Sequence, residues 1–181
     1  MRRLRYNVAI SLDGFIASLD GSSGWIIEDD DIDFDALYAE FDTFIMGRKT
    51  YEAMTSFEPN HLANQTKESV IVVSKQMKQE NFPTITILTR GIVDAVTEMK
   101  TKDGKDIWLM GGGQLAGPCL EAGLVDYIEA AIMPVVLGTG IKMISDSALS
   151  DNKSHRLELG EVKRLEKSGI LMTKYKVVYT T

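Results

Sequence analysis

The 181-residue chain is 44% hydrophobic and 25% charged, with a formal net charge of -6; that is enough apolar material for one core, with little room for a second domain. No stretch is dominated by Lys and Arg, so an extended nucleic-acid surface is not expected. The one cysteine, Cys119, cannot form an intrachain disulfide, and with only His61 and His155 beside it no zinc-ligand spacing arises, so no metal site is expected.

The basic start, Met1 to Tyr6, leads into an apolar run too short for a signal peptide and broken by Asp13. No window has the apolar length of a membrane span, and the expected location is the cytoplasm. Leu4 to Ser11 alternates as a first strand. Ser11 to Trp25, with three glycines among Asp and Ser, reads as a long loop. Asp31 to Glu40 is a helix candidate: Ile32, Leu37 and Phe41 lie near one face, and acids crowd the first turn, where the helix dipole favours them. Thr43 to Met46 is a short buried strand that ends at Gly47-Arg48-Lys49-Thr50, where Thr50 is placed to cap a helix running to Met54. Phe57 to Glu68 is polar, contains Pro59 and reads as a surface loop. Ser69 to Val73 is apolar in the manner of a buried parallel strand, Thr84 to Thr89 is β-rich, and Val93 to Lys100 has helical spacing. Ile107 to Met110 is a strand that stops at three glycines; Gln114 to Glu121 is then a helix with Gly123 beyond its end. Val125 to Met133 is a strand, Pro134 to Gly140 is turn-rich, and Leu157 to Leu165 pairs with Ile170 to Tyr179 as a hairpin around Lys167-Ser168-Gly169. The expected fold class is α/β: a mixed sheet crossed by helices and finished by an antiparallel hairpin.

Four segments could carry chemistry. In Trp108 to Leu115 a strand runs through Gly111, Gly112 and Gly113 into a helix whose first residues are Gln114 and Leu115; glycines admit a ligand to the main chain, and a helix N-terminus suits a phosphate. In Ile45 to Glu52 a second strand ends in glycine, with Arg48 and Lys49 at a helix start. Cations are poorly placed there for the helix alone, and a bound anion such as a ribose 2′-phosphate would compensate. Ala9 to Ala17 carries Asp13-Gly14 between apolar runs, and Met133 to Gly140 holds a proline and two glycines after a strand. Against each stands a plain reading, a structural turn or a solvated pair of cations. Cys119 reads as core, Trp25 and Trp108 could both be core, and His61 and His155 read as exposed loop residues. Glu28 to Asp35 carries six acidic side chains, most simply a solvated helix start.

Taken in order, Val8-Ala9-Ile10-Ser11-Leu12-Asp13-Gly14, Ile45-Met46-Gly47-Arg48-Lys49-Thr50-Tyr51-Glu52, Gly111-Gly112-Gly113 and Pro134-Val135-Val136-Leu137-Gly138 resemble the dihydrofolate reductase superfamily over essentially the whole chain. The first and last of these are most similar to the C-terminal reductase domain of the riboflavin-biosynthesis deaminase–reductase, as in its small stand-alone bacterial homologues. No segment resembles the zinc deaminase half of that enzyme.

The resemblance implies a dihydrofolate-reductase-like three-layer fold, a mostly parallel central sheet with flanking helices, and one domain over residues 1–181. It implies NADPH as hydride donor. By position, Gly47, Arg48, Lys49 and Thr50 would hold the adenosine side, with Val73, Ser74 and Lys75 as a second contact. Gly111, Gly112, Gly113, Gln114 and Leu115 would hold the pyrophosphate, Ala9 and Ile10 would meet the nicotinamide amide, and Ile16 would pack on its ring. Residues 12 to 25 would be a closing loop. The implied substrate is a pyrimidine or pterin, and the implied reaction most like that of 5-amino-6-(5-phosphoribosylamino)uracil reductase, with Asp13 orienting the substrate or relaying a proton. A dihydrofolate-type reaction would use Asp30 or Asp33 as the helix acid instead. A non-catalytic nucleotide-binding module and a partner-binding protein with both glycine turns empty are the rival classes. A homodimer is also implied, through the Val125 to Met133 strand and the C-terminal hairpin.

Overall fold

Leu4, Tyr6, Val8 and Ile10 alternate with Arg5, Asn7, Ala9 and Ser11, and this period of two sends the first set to one face of a sheet and the second to the other. A computed structural model, describing residues 1–149 and 154–179, places this strand, β1 (Leu4–Ser11), inside an eight-stranded sheet. The other elements are β2 (Phe15–Ala17), α1 (Phe34–Ala39), β3 (Phe41–Gly47), α2 (Arg48–Met54), β4 (Val70–Val73), β5 (Thr86–Leu88), α3 (Ile92–Thr101), β6 (Asp106–Gly111), α4 (Gly113–Glu121), β7 (Val125–Met133), β8 (Ile141–Lys142), β9 (Arg156–Arg164) and β10 (Leu171–Val178). The strand order is β5-β4-β3-β6-β1-β7-β10-β9. From β5 to β7 all pairings are parallel; β10 is antiparallel to β7 and to β9. This is the mixed, mostly parallel α/β sheet with a terminal hairpin that the sequence predicts.

Each face is covered differently. On one, Leu4, Tyr6, Val8, Ile45, Ile107 and Leu109 pack with Val96 of α3 and Ala116, Cys119 and Leu120 of α4. Cys119 is core, and burial pushes its thiol up to about 11. The opposite face carries two separate clusters. Tyr38 of α1 and Tyr51 and Met54 of α2 gather over Phe44, Met46, Trp108 and Met110. Trp25, Ile26, Ile27 and Ile32 gather over Ala9, Ala131, Met133, Leu165 and Ile170. Between them runs a strip of β1 holding Arg5 and Asn7.

The structure corrects several sequence expectations. The first helix is confined to Phe34–Ala39, because Asp33 is its N-cap and accepts the Ala36 N–H at 2.9 Å. Gly47, extended at φ -80° and ψ 164°, is the N-cap of α2, so Thr50 lies within the helix and does not cap it. The histidines are not exposed. His61 stacks on Tyr38 with ring centroids 4.6 Å apart, and the His155 ring is buried beside Glu121 at 3.1 Å. Trp108 is core, while Trp25 is half-buried. Phe57 to Glu68 is a loop, anchored by buried Leu62. The long loop after β1 contains a strand with no sequence signal: β2 pairs antiparallel with β8 as a small second sheet.

Candidate functional site

The carboxyl ends of the parallel strands lie level along one edge: Gly47 opposite Val73, Met46 opposite Gly111, and Ser11 opposite Met133. Adjacent strands β3 and β6 send their following helices to opposite faces, α2 beside Tyr38 and Trp108 and α4 beside Val96. Such a reversal opens a crevice at the carboxyl edge of an α/β sheet, where ligands bind.

Residues far apart in sequence meet there. A Cβ on Gly111 would lie 3.9 Å from the Thr50 hydroxyl oxygen, one on Gly47 would lie 3.9 Å from Leu115 Cδ1, and one on Gly112 would lie 3.6 Å from Ile16 Cδ1. Thus β2, the β3–α2 turn and the β6–α4 turn converge, and the glycines leave open what side chains would fill. The Gly111–Gly112 peptide is cis. The α4 start is seated from behind by β8, since a Cβ on Gly113 would meet the carbonyl oxygens of Lys142 and Met143 at 2.6 and 2.7 Å.

Neither α2 nor α4 has a side-chain N-cap, and neither has an acid in its first turn. Their first amides have no intrahelical acceptor, so both turns present N–H groups and the positive end of a dipole to an anion. Arg48 Nη1 donates to Glu52 at 2.7 and 2.9 Å, which among the described residues leaves Nε and Nη2, and Lys49 is exposed. At the end of β4, the buried Ser74 Oγ accepts the Gln76 and Met77 amides, both at 3.1 Å. Val73 is half-buried there, and Lys75 is exposed. These residues fit a dinucleotide: uncapped amides for the pyrophosphate and cations beside one end. Ala9 and Ile10 lie one strand over, paired with Ala131 and Ile132 of β7.

The three candidate acids are dispersed. Asp13 accepts Ser11 Oγ at 2.7 Å and the amides of Leu137 and Gly138 at 3.1 and 2.7 Å, tying the loop after β1 to the loop after β7. The Ser11 hydroxyl, then the two amides, hold its carboxyl below the usual value. Asp30 is exposed beside a hollow of about 210 Å³ between the 27–30 segment and Lys167-Ser168. Asp33 is the α1 cap. Among the described residues no group of three or more His, Cys, Asp or Glu side chains could hold a metal ion, and no helix is long and apolar enough to cross a membrane.

A polar cluster on the strip of β1 between the two apolar clusters escapes sequence reading. Glu129 of β7 receives Arg5 Nε at 2.7 Å, Arg5 Nη2 at 2.8 Å and Asn7 Nδ2 at 2.8 Å, with Lys174 Nζ at 3.3 Å. Arg5 also reaches Glu40 and lies 4.4 Å over the Phe41 ring. Burial alone would lower the Arg5 pKa, but the bonds to Glu129 and Glu40 raise it. The available signal was Arg5 and Asn7 falling on one face of an otherwise apolar strand.

The fold is of the dihydrofolate-reductase type. The solved structure of a putative riboflavin biosynthesis protein from Shewanella sp. PV-4 superposes with a TM-score of 0.77 at 23% identity, covering 99% of this chain and all of that one. Residues 2–171 match the RibD C-terminal domain, and the chain belongs to that family. It is 32% identical over 153 residues to the uncharacterized Bacillus subtilis protein YyaP, covering 80% of this chain and 81% of that protein. It is also 30% identical over 156 residues to the riboflavin biosynthesis protein RibD of Mycobacterium tuberculosis, covering 81% of this chain but only 46% of the RibD protein.

Proposed function

We propose that the chain is an NADPH-dependent reductase acting on a pyrimidine- or pterin-type small molecule, most like 5-amino-6-(5-phosphoribosylamino)uracil reductase, and that it works in the cytoplasm. The observation that carries this reading is the convergence of Ile16, Gly47, Thr50, Gly111, Gly112 and Leu115 at one crevice, with two uncapped helix starts facing it. Bound there, the nicotinamide supplies a hydride. Arg48 and Lys49 would take the 2′-phosphate, Val73, Ser74 and Lys75 the adenine side, and the Gly113 and Gln114 amides the pyrophosphate. Ala9 and Ile10 would orient the nicotinamide amide, and Ile16 would shield the ring from water. Asp13 would hold the loop over the substrate, with the ordered loop excluding solvent during transfer.

One observation favours the rival module reading: Asp13 and Asp33 are both committed to backbone amides. The two readings separate in one assay, the loss of NADPH absorbance with a ribosylaminopyrimidine or a dihydropterin. Turnover with either supports the reductase. Tight NADPH binding without oxidation under both would make the chain a nucleotide-binding module.

A further inference from the structure

Asn7 lies two residues before Ala9 on the same face of β1, half-buried on the polar strip between the two apolar clusters of that face. Its backbone carbonyl accepts Trp108 Nε1 at 2.9 Å, which fixes the strand locally against β6. Its side-chain Nδ2 donates to Glu129 Oε2 at 2.8 Å. Glu129, buried and facing the Arg5 guanidinium and the Lys174 ammonium, can only accept. The amide of Asn7 therefore has one allowed orientation, because turning it over would set its oxygen against a carboxylate. In that orientation Oδ1 points away from Glu129, and no donor among the described residues meets it.

We propose that Asn7, its amide oriented by Glu129, is a specificity-determining acceptor that selects heterocycles presenting an amino or ring N–H group to this strip. The inference rests on the reductase reading for the kind of ligand, a flat heterocycle beside the nicotinamide end of the crevice. A ligand offering a carbonyl or ether oxygen instead would place two acceptors face to face and desolvate both, the mismatch that polar sites reject most strongly. Arg5 and Lys174 act through Glu129 as positioning residues; they hold the carboxylate that holds the amide.

The test compares 2,4-diaminopyrimidine with 2,4-dimethoxypyrimidine, binding each to the full chain with and without NADPH. The wild type should favour the diamino compound by about fivefold or more, the equivalent of one hydrogen bond. Asn7→Leu should bring the ratio close to one. Glu129→Gln, whose amide can also donate, frees Asn7 to turn and should reduce the preference. Equal binding of the two probes by the wild type, no binding of either, or an unchanged ratio in Asn7→Leu overturns the proposal. If circular dichroism shows that Asn7→Leu does not fold, the wild-type ratio and Glu129→Gln still decide. NADPH is titrated separately: cofactor binding without pyrimidine selectivity sinks the Asn7 assignment alone, and pyrimidine selectivity without cofactor binding sinks the reductase reading alone.

Discussion

At the residue scale, two glycines at the crevice separate architecture from binding. A side chain on Gly113 has nowhere to go, because backbone oxygens stand 2.6 and 2.7 Å from its Cβ position. Gly113→Ala should therefore cost about 1–3 kcal/mol of stability, as overpacking does, read as a lower melting temperature. Gly47 has room, with Leu115 Cδ1 at 3.9 Å. Gly47→Ala should melt close to the wild type while weakening NADPH, because the methyl group occupies the approach to α2. Arg48→Ala combined with Lys49→Ala should weaken NADPH at least about tenfold more than NADH, the scale of a lost charge-assisted contact; equal loss for both would remove the 2′-phosphate assignment. Asp13 makes a prediction in pH. Its folded pKa lies below the ordinary value of about 3.9. Its clasp on Leu137 and Gly138 is therefore fully present above that value and is lost as pH falls through the folded pKa. Amide exchange at Leu137 and Gly138 should rise below about pH 4 relative to the β1 core, and unchanged exchange would show that the clasp does not hold the loop.

At the element scale, α1 is six residues long and depends on its cap. Asp33→Ala should lower stability by about 1 kcal/mol and leave any turnover in place; loss of turnover in a folded Asp33→Ala protein would revive Asp33 as a helix acid. Element by element, the buried strands and their glycine ends were legible, since apolar runs such as Val70–Val73 and Ile107–Met110 have strong β preference and sharp stops. The α1 start was misplaced by three residues because five aspartates within residues 29–35 offer several equivalent caps, and only tertiary packing selects Asp33. The β2–β8 sheet was illegible for a different reason. Phe15–Ala17 and Ile141–Lys142 are too short to show a period, and their partners are more than a hundred residues apart. The crevice glycines were legible as turns, whereas the Asn7–Glu129–Arg5 cluster depends on the β1–β7 pairing, which no local pattern encodes.

At the scale of the whole molecule, the sheet is stapled along the polar strip between its two apolar clusters by the Arg5–Glu129 pair and extended by an unprotected edge. β9 is exposed along its length, and a bulge opposite Lys174 and Tyr175 keeps Leu157, Leu159 and Val162 on one face. An apolar stripe on an edge strand is the kind of surface that a second chain covers. A homodimer through this hairpin is therefore proposed, and Leu159→Glu with Val162→Glu should halve the mass measured in solution if the stripe is the contact. A wild type that is already monomeric would remove the dimer. The most direct test of the central claim is a calorimetric titration of the chain with NADPH and, separately, with NADH. Micromolar binding of NADPH and much weaker binding of NADH is the predicted result. No binding of either would mean that the two glycine turns are structural, and would contradict the reductase reading.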